Sequence, residues 1–236
     1  MHMQAVIMAA GWGSRMGALT EDMPKPMLSV AGKTLIEHKL EILPNDIDEV
    51  IIVVGYLGSV VHNHFGGVYK DKRILYVEQE NPIGGTADAL WQAAPVLHDR
   101  FLVLNGDDLY GRDDIIRCTT HPDDWVFLVE ETEDTSTKGK VVLDGQGHVT
   151  GIQEGGTHEG GPGLLNTGAC VLDTRIFEHP QVPKVPGSPE MGLPQTALVA
   201  AREVPVAIYT VAAHGWFPIT VPEDLARAEE FLKKEA

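Results

Sequence analysis

The stretch Ala5-Val6-Ile7-Met8-Ala9-Ala10-Gly11-Trp12-Gly13-Ser14-Arg15-Met16-Gly17 decides the fold. Ala5 to Ala10 is an apolar run without alternation, which reads as a short strand buried on both faces. It ends in a glycine-rich turn, where backbone N–H groups can approach an anion closely. Downstream, Thr34 to Leu43 reads as a helix, with Thr34 and Glu37 in a capping-box pattern and Pro44 as its stop. Glu49 to Val54 is a second β-rich run, and a short helix from about Ser59 to Phe65 follows. Ile74 to Val77 is a third strand. Thr86 to Val96 is a helix with Ala87, Leu90, Trp91 and Ala94 along one face. Phe101 to Leu104 is a fourth buried strand. Alternating helices and continuously apolar strands predict an α/β/α three-layer fold around a mainly parallel sheet. Such sheets bind ligands at the carboxyl ends of their strands.

The second half changes character. Val126 to Val129, Lys140 to Leu143, Val149 to Gln153 and Leu165 to Leu172 are strands with loop-length spacers, so the sheet should be mixed. Gly145-Gln146-Gly147 reads as a hairpin turn. Gly155 to Gly163 and Pro180 to Pro194 read as irregular, and an amphipathic helix runs from Pro222. One domain over residues 1–236 is expected, divided at about residue 110 into two halves, with the later strands inserted over the sheet edge.

Composition narrows the function. Of 236 residues 43% are hydrophobic, and Lys+Arg 18 against Asp+Glu 34 give a net charge of −16. Such acidity argues against nucleic acid and anionic membrane surfaces as partners. No apolar run reaches the ~20 residues of a membrane helix, and no basic segment precedes residues 5–10 as in a secretory leader. A cytoplasmic protein is expected, with homo-oligomerisation left open. Cys118 and Cys170 form no disulfide framework or metal-spaced cluster and read as inert thiols.

Three readings of the glycine turn compete on the residues alone. The glycines fit G-x-G-x-x-x-G, a weak dinucleotide pattern, but no acidic residue clearly ends the second strand. A plain turn is the second reading. A nucleoside triphosphate site is the third, favoured by Arg15 within the turn and by Pro24-Lys25-Pro26, whose prolines restrict Lys25. Charge supports an anion here. Residues 1–40 hold Arg15, Lys25, Lys33 and Lys39 against Glu21, Asp22 and Glu37, a net of +1, which leaves −17 for the rest.

Beyond the turn, Leu19-Thr20, Pro24-Lys25-Pro26-Met27-Leu28 and Gly32-Lys33-Thr34-Leu35-Ile36-Glu37-His38 follow in order. Later come Gly85-Thr86-Ala87-Asp88-Ala89-Leu90, Asn105-Gly106-Asp107, Gly151-Ile152-Gln153-Glu154, Asn166-Thr167-Gly168 and Pro222-Glu223-Asp224-Leu225. Together they resemble the signature of the sugar-phosphate nucleotidylyltransferases over nearly the whole chain. The resemblance implies a Rossmann-like nucleotidyltransferase fold, without the β-helix acyltransferase domain of bifunctional members. It implies Mg²⁺-dependent attack of a sugar 1-phosphate on the α-phosphorus of a nucleoside triphosphate, with pyrophosphate leaving. A phosphate monoester is already anionic at pH 7, so this chemistry needs charge neutralisation and alignment, and no general base.

By the same resemblance, Met8, Ala9, Ala10, Gly11 and Gly13 hold the nucleotide through their backbone. Arg15 steadies the departing pyrophosphate, Lys25 the α-phosphate, and Asp107 carries Mg²⁺, with Asp108 as the adjacent alternative. Gln79, Gly85 and Thr86 face the base, which favours UTP or dTTP; Thr86 also suits the N-cap of the following helix. Asn105, Gly151, Glu154 and Asn166 hold the acceptor. Two positions depart from the family. Gly155 stands where a lysine usually follows the glutamate, and Pro218 stands where an aspartate usually supplies a second metal ligand. Other readings are a cytidylyltransferase acting on phosphocholine or a similar ester, with Trp12, Trp91, Trp125 and Trp216 as a cation box, and a noncatalytic nucleotide sensor. NAD binding is a third alternative.

Overall fold

The structure, a computed structural model, describes residues 3–136, 139–156 and 158–235. Met1, His2 and Thr157 of the glycine-rich loop therefore lie outside the described residues. One sheet organises the chain. Its strands are β1 Gln4–Met8, β2 Glu49–Val54, β3 Val68–Tyr69, β4 Lys72–Glu78, β5 Arg100–Asn105, β6 Trp125–Thr132, β7 Lys140–Leu143, β8 Val149–Gln153, β9 Gly163–Asp173 and β10 Ile208–Ala212. β5, β1, β2 and β4 lie side by side in parallel, with β3 antiparallel at the edge beyond β4. β1, β2, β4 and β5 agree with the expected strands, with ends displaced by a residue or two, and β3 is an addition to them.

The apolar strands are continuous because both faces are covered. Ala5 and Ile7 of β1 enter one core while Val6 enters the other, and Leu102 and Leu104 of β5 part from Phe101 and Val103 in the same way. Helices α1 Leu35–Ile42, α2 Gly58–Phe65 and α4 Arg112–Thr119 cover the first face. α3 Gly85–Ala93 and α5 Leu193–Glu203 cover the second. The α1 capping box is formed: Glu37 N donates to Thr34 Oγ1 and Thr34 N to the Glu37 carboxylate. α6 Glu223–Glu235 packs through Ala228 on a small third core with Met16, Leu28 and Ile219.

The later strands extend the same sheet and do not fold over its edge. β9 makes this possible. Its C-terminal part, Cys170 to Asp173, pairs antiparallel with β5, while Leu164 and Leu165 pair with β7. Along its other side β9 pairs with β6, with a register shift between Asn166 and Cys170. A bulge of this kind bends a strand and re-aims its side chains. β10 then joins β6 in parallel.

Candidate functional site

A cleft of about 890 Å³ opens at the carboxyl ends of β1 and β5, where an open parallel sheet presents ligand sites. One end of it is the glycine turn. Gly13 has φ +64°, and a Cβ there would stand 2.7 Å from Lys25 Cβ. The position therefore needs glycine both for its left-handed backbone and for the close passage of the Lys25 segment. Thr20 Oγ1 ties the turn down, its one O–H shared between Gly13 O and Gly17 O, each 3.2 Å away. Arg15 is exposed on the cleft wall.

Lys25 lies in a single 3₁₀ turn, Lys25–Met27, after the extended Pro24. Its side chain is buried, and its ammonium donates to Asp107 Oδ2 at 2.6 Å. Two residues 82 positions apart in sequence thus form one ion pair facing the cleft. The Asp107 carboxylate is about one-third exposed there (37%). Asp108 points inward and is buried, with Asn105 Nδ2 and Tyr110 OH each 3.4 Å from its Oδ2. Pro218 pairs antiparallel with Asp108 and lines the cleft, so the residue standing in place of the second carboxylate is at this site. Asp224 is elsewhere: its Oδ2 accepts from Thr220 N and Val221 N at the start of α6.

Sequence reading missed Lys39. It is fully buried, and its ammonium donates to Leu35 O at 3.2 Å, Gly106 O at 3.0 Å and Asp108 O at 2.5 Å. Burial lowers its pKa to about 8, with Asp108 and Asp107 opposing that shift. Tyr110 beside it is pushed well above the ordinary phenol range, first by burial and then by the same two carboxylates.

The side of the cleft that carries Gln79 is fixed by hydrogen bonds. Gln79 Nε2 donates to Gly85 O and to Asp88 Oδ2 at 3.1 and 2.8 Å. Both partners are acceptors, which settles the amide orientation and turns Oε1 toward other partners. Thr86 does not cap α3. Gly84 holds the N-cap place without a side-chain bond, and Thr86 Oγ1 accepts from Leu193 N at 2.9 Å, fastening α5 to α3. Gly85, at φ +81°, sits against Met191, whose O would be 2.5 Å from a Cβ.

The opposite end holds Glu154 and Asn166. Glu154 Oε1 accepts from Gln195 Nε2 at 2.6 Å, and Lys184 Nζ stands 3.8 Å from both Glu154 Oε2 and Glu190 Oε2. Gln195 Oε1 is buried without a partner among the described residues. Lys184 and Gln195, both missed in the sequence, come from the irregular stretch before α5 and from its first turn. Asn166 Oδ1 accepts from Gly168 N within the β9 bulge. Gly168 has φ +80°, which favours glycine, and a Cβ there would have to displace the Asn105 amide. Of the expected site residues, Met8, Ala10, Gly11, Gly13, Arg15, Lys25, Gln79, Gly85, Thr86, Asn105, Asp107, Glu154 and Asn166 line the cleft; Ala9 and Gly151 do not. Ala9 is buried, with its N–H donating to Val53 O, and Gly151 is paired with Val142 within the sheet. Trp216 lines the cleft too, whereas Trp125 is core, Trp91 packs on Phe177 and Trp12 is exposed beside Tyr56. The four tryptophans thus form no common box.

A metal fits this site in one form. Among the described residues no three His, Cys, Asp or Glu side chains converge as a metal cage. At the Lys25 end of the cleft Asp107 offers a partly exposed carboxylate. Mg²⁺ accepts such a site, because it keeps several waters and takes phosphate oxygens as its other ligands.

Fold and cleft define an α/β protein whose cleft opens beside a glycine turn at the carboxyl ends of parallel strands. Residues 4–235 match the Nucleotidyl transferase family, and the chain belongs to it. It is 30% identical over 242 residues to the UTP–glucose-1-phosphate uridylyltransferase AglF of Haloferax volcanii, covering 99% of this chain and 98% of that protein. It is 29% identical over 230 residues to the bifunctional protein GlmU of Methanocaldococcus jannaschii. That match covers 98% of this chain but 54% of GlmU, so the chain spans about half the length of that relative. The inositol-1-phosphate CTP transferase of T. maritima has the same fold, with a TM-score of 0.77 at 20% identity over 100% of this chain and 97% of that one. Among the described residues no helix is long and apolar enough to cross a membrane.

Proposed function

We propose that this chain transfers a nucleoside monophosphate from a triphosphate to a sugar 1-phosphate, releasing pyrophosphate and forming a nucleotide sugar. The observation that carries the reading is the Lys25–Asp107 pair beside Arg15 on one cleft whose far end presents Glu154, Gln195 and Lys184. Cations at one end and hydroxyl-binding groups at the other suit two polyanions meeting in line. Arg15 draws charge from the departing pyrophosphate, and Lys25 balances the α-phosphate. Mg²⁺, when held by Asp107, supplies further charge neutralisation at the phosphates. Glu154 and Gln195 bind hydroxyls of the acceptor. Lys184 replaces the lysine missing at Gly155 and meets the acceptor phosphate.

UTP or dTTP is the preferred donor. With its amide nitrogen engaged, Gln79 has an acceptor oxygen for the base, and N3 of uracil or thymine carries a proton where cytosine N3 does not. The test is pyrophosphate release from UTP, dTTP, CTP and GTP against a set of sugar 1-phosphates and phosphocholine, with and without Mg²⁺. Turnover with UTP or dTTP and a sugar 1-phosphate is expected. Turnover confined to CTP with phosphocholine favours the cytidylyltransferase, and triphosphate binding without turnover on any acceptor favours a sensor.

A further inference from the structure

Lys39 is a full-length cation in a place that a leucine would fill. It sits on the inner side of α1 beside Leu35, Ile36 and Leu40, with no exposed surface. Burying an ammonium is costly, and an apolar side chain of similar volume is often as good for stability alone. Yet the Lys39 site is complete. A lysine has three N–H donors, and all three meet carbonyl oxygens: one from its own helix and two from the turn that carries Asp107. From the opposite side, Gly106 N donates to Met8 O, and any Cβ at Gly106 would strike that same oxygen. The turn is thus clamped between β1 and α1, and Asp107 projects from it to Lys25.

Charge completes the argument. The groups gathered here are two carboxylates, Asp107 and Asp108, and two ammonium groups, Lys25 and Lys39. Pro218, beside Asp108, adds no charge. A divalent cation approaching alone meets a balanced site, whereas a bound triphosphate brings the negative charge that retains it.

We propose that Lys39 is a positioning residue for Asp107: its ammonium fixes the Gly106–Asp108 turn and, with Lys25, balances both carboxylates, so that a divalent cation enters as its complex with the triphosphate and not alone. The triphosphate part rests on the function proposed above.

Mn²⁺ binding followed by electron paramagnetic resonance, with and without UTP, tests this in the wild type, Lys39→Met and Lys39→Gln. Methionine removes donors and charge; glutamine removes the charge and keeps two N–H donors. Without nucleotide, both variants should bind Mn²⁺ more tightly than the wild type, by roughly fivefold or more, because a nearby cation is gone. In pyrophosphate release, Lys39→Met should lose about tenfold or more in kcat, with KM for the triphosphate changed less than about threefold, the pattern of a lost transition-state alignment. Lys39→Gln should recover most of that kcat while keeping the tighter Mn²⁺ binding, a separation that simple loss of packing does not produce. Unchanged Mn²⁺ affinity in both variants, or wild-type protein that binds Mn²⁺ without UTP as tightly as with it, overturns the proposal. If Lys39→Met does not fold, Lys39→Gln decides on the Mn²⁺ measurement. That measurement needs no turnover, so it stays readable if no acceptor reacts. Conversely, wild-type turnover with neither variant altered removes Lys39 from the site and leaves the transferase reading standing.

Discussion

Lys25 shows how a single side chain comes to serve a site. Its flanking prolines fix the backbone, burial removes competing water, and Asp107 holds the ammonium at 2.6 Å. Arg15, exposed on the same cleft, is positioned by its turn instead. Lys25→Ala and Arg15→Ala should each lower kcat by about 10² or more while the far-ultraviolet circular dichroism stays native, as expected for lost charge stabilisation. Wild-type rates in either variant would remove that residue from the reaction. Lys39 makes a separate prediction about stability. Its pKa falls from the ordinary 10.5 to about 8 in the fold. Between those values the unfolded chain holds a proton that the folded chain has released, so this group's contribution to stability rises with pH across that window. Cys118, raised to about 12 by burial, and Cys170, raised further, act oppositely above pH 9, since the fold withholds their ionisation. Subtracting the urea-unfolding curve of Lys39→Met cancels the thiols. The wild-type-minus-variant difference should climb from pH 8 to 10.5, and a flat difference would show that the fold does not lower the Lys39 pKa.

At the scale of elements, the end of the cleft that carries Glu154 and Gln195 depends on how the segment before α5 docks on α3. Met191 N donates to Gly84 O, Ala87 N to Met191 O, and Leu193 N to Thr86 Oγ1. Gly85→Ala should break this docking twice over, through a positive φ and through the 2.5 Å approach to Met191 O. The expected cost is about 1–3 kcal/mol of stability, with KM raised for the triphosphate, since Gly85 O holds the Gln79 amide, and for the sugar phosphate, since the docked segment carries Gln195. An unchanged KM for the sugar phosphate would show that this docking does not shape the Glu154 end of the cleft. Glu154→Ala should affect the acceptor first, because Glu154 is tied to Gln195 and lies near Lys184. These contacts mark where the sequence stopped being legible. The parallel half could be read because each strand is a pure apolar run and each helix a periodic one. α4 escaped notice because Asp114 occupies one of its buried positions, accepting from His214 N and Gly215 N across 100 and 101 residues. α5 was hidden by Pro194, which suits a first helical turn as well as a loop. Lys25, Asp107 and the glycines were visible as motifs. Lys39, Lys184 and Gln195 carry no local signal, since the partners that bring them to the site, Gly106, Asp108 and Glu154, come from distant segments.

Across the whole molecule, β9 joins the two halves of the chain by pairing with β5 and β6 at once. Each core therefore contains residues from both halves: Ile7 and Cys118 share one, Val6 and Cys170 the other. If the halves were separate cooperative units, the sheet would have to part along the β5–β9 pairing, between Phe101–Val103 and Cys170–Leu172. Those residues are largely buried and apolar, so parting there exposes apolar area on both faces at about 25 cal/mol per Å². We therefore expect one cooperative transition, and the two thiols are natural reporters of it. Both are buried, in different cores, and burial raises both thiol pKa values, so a thiol reagent should reach neither in the native state. In Cys118→Ala the label reads Cys170, and in Cys170→Ala it reads Cys118. Each variant loses a sulfur-sized volume from a core and shifts its own midpoint, so the comparison is made within each variant, between labelling and circular dichroism. The two probes should give coincident urea transitions in both variants, the criterion for two-state unfolding. Labelling of either thiol well before the loss of ellipticity would mean that its face of the sheet opens on its own, and residues 4–235 would then comprise more than one folding unit.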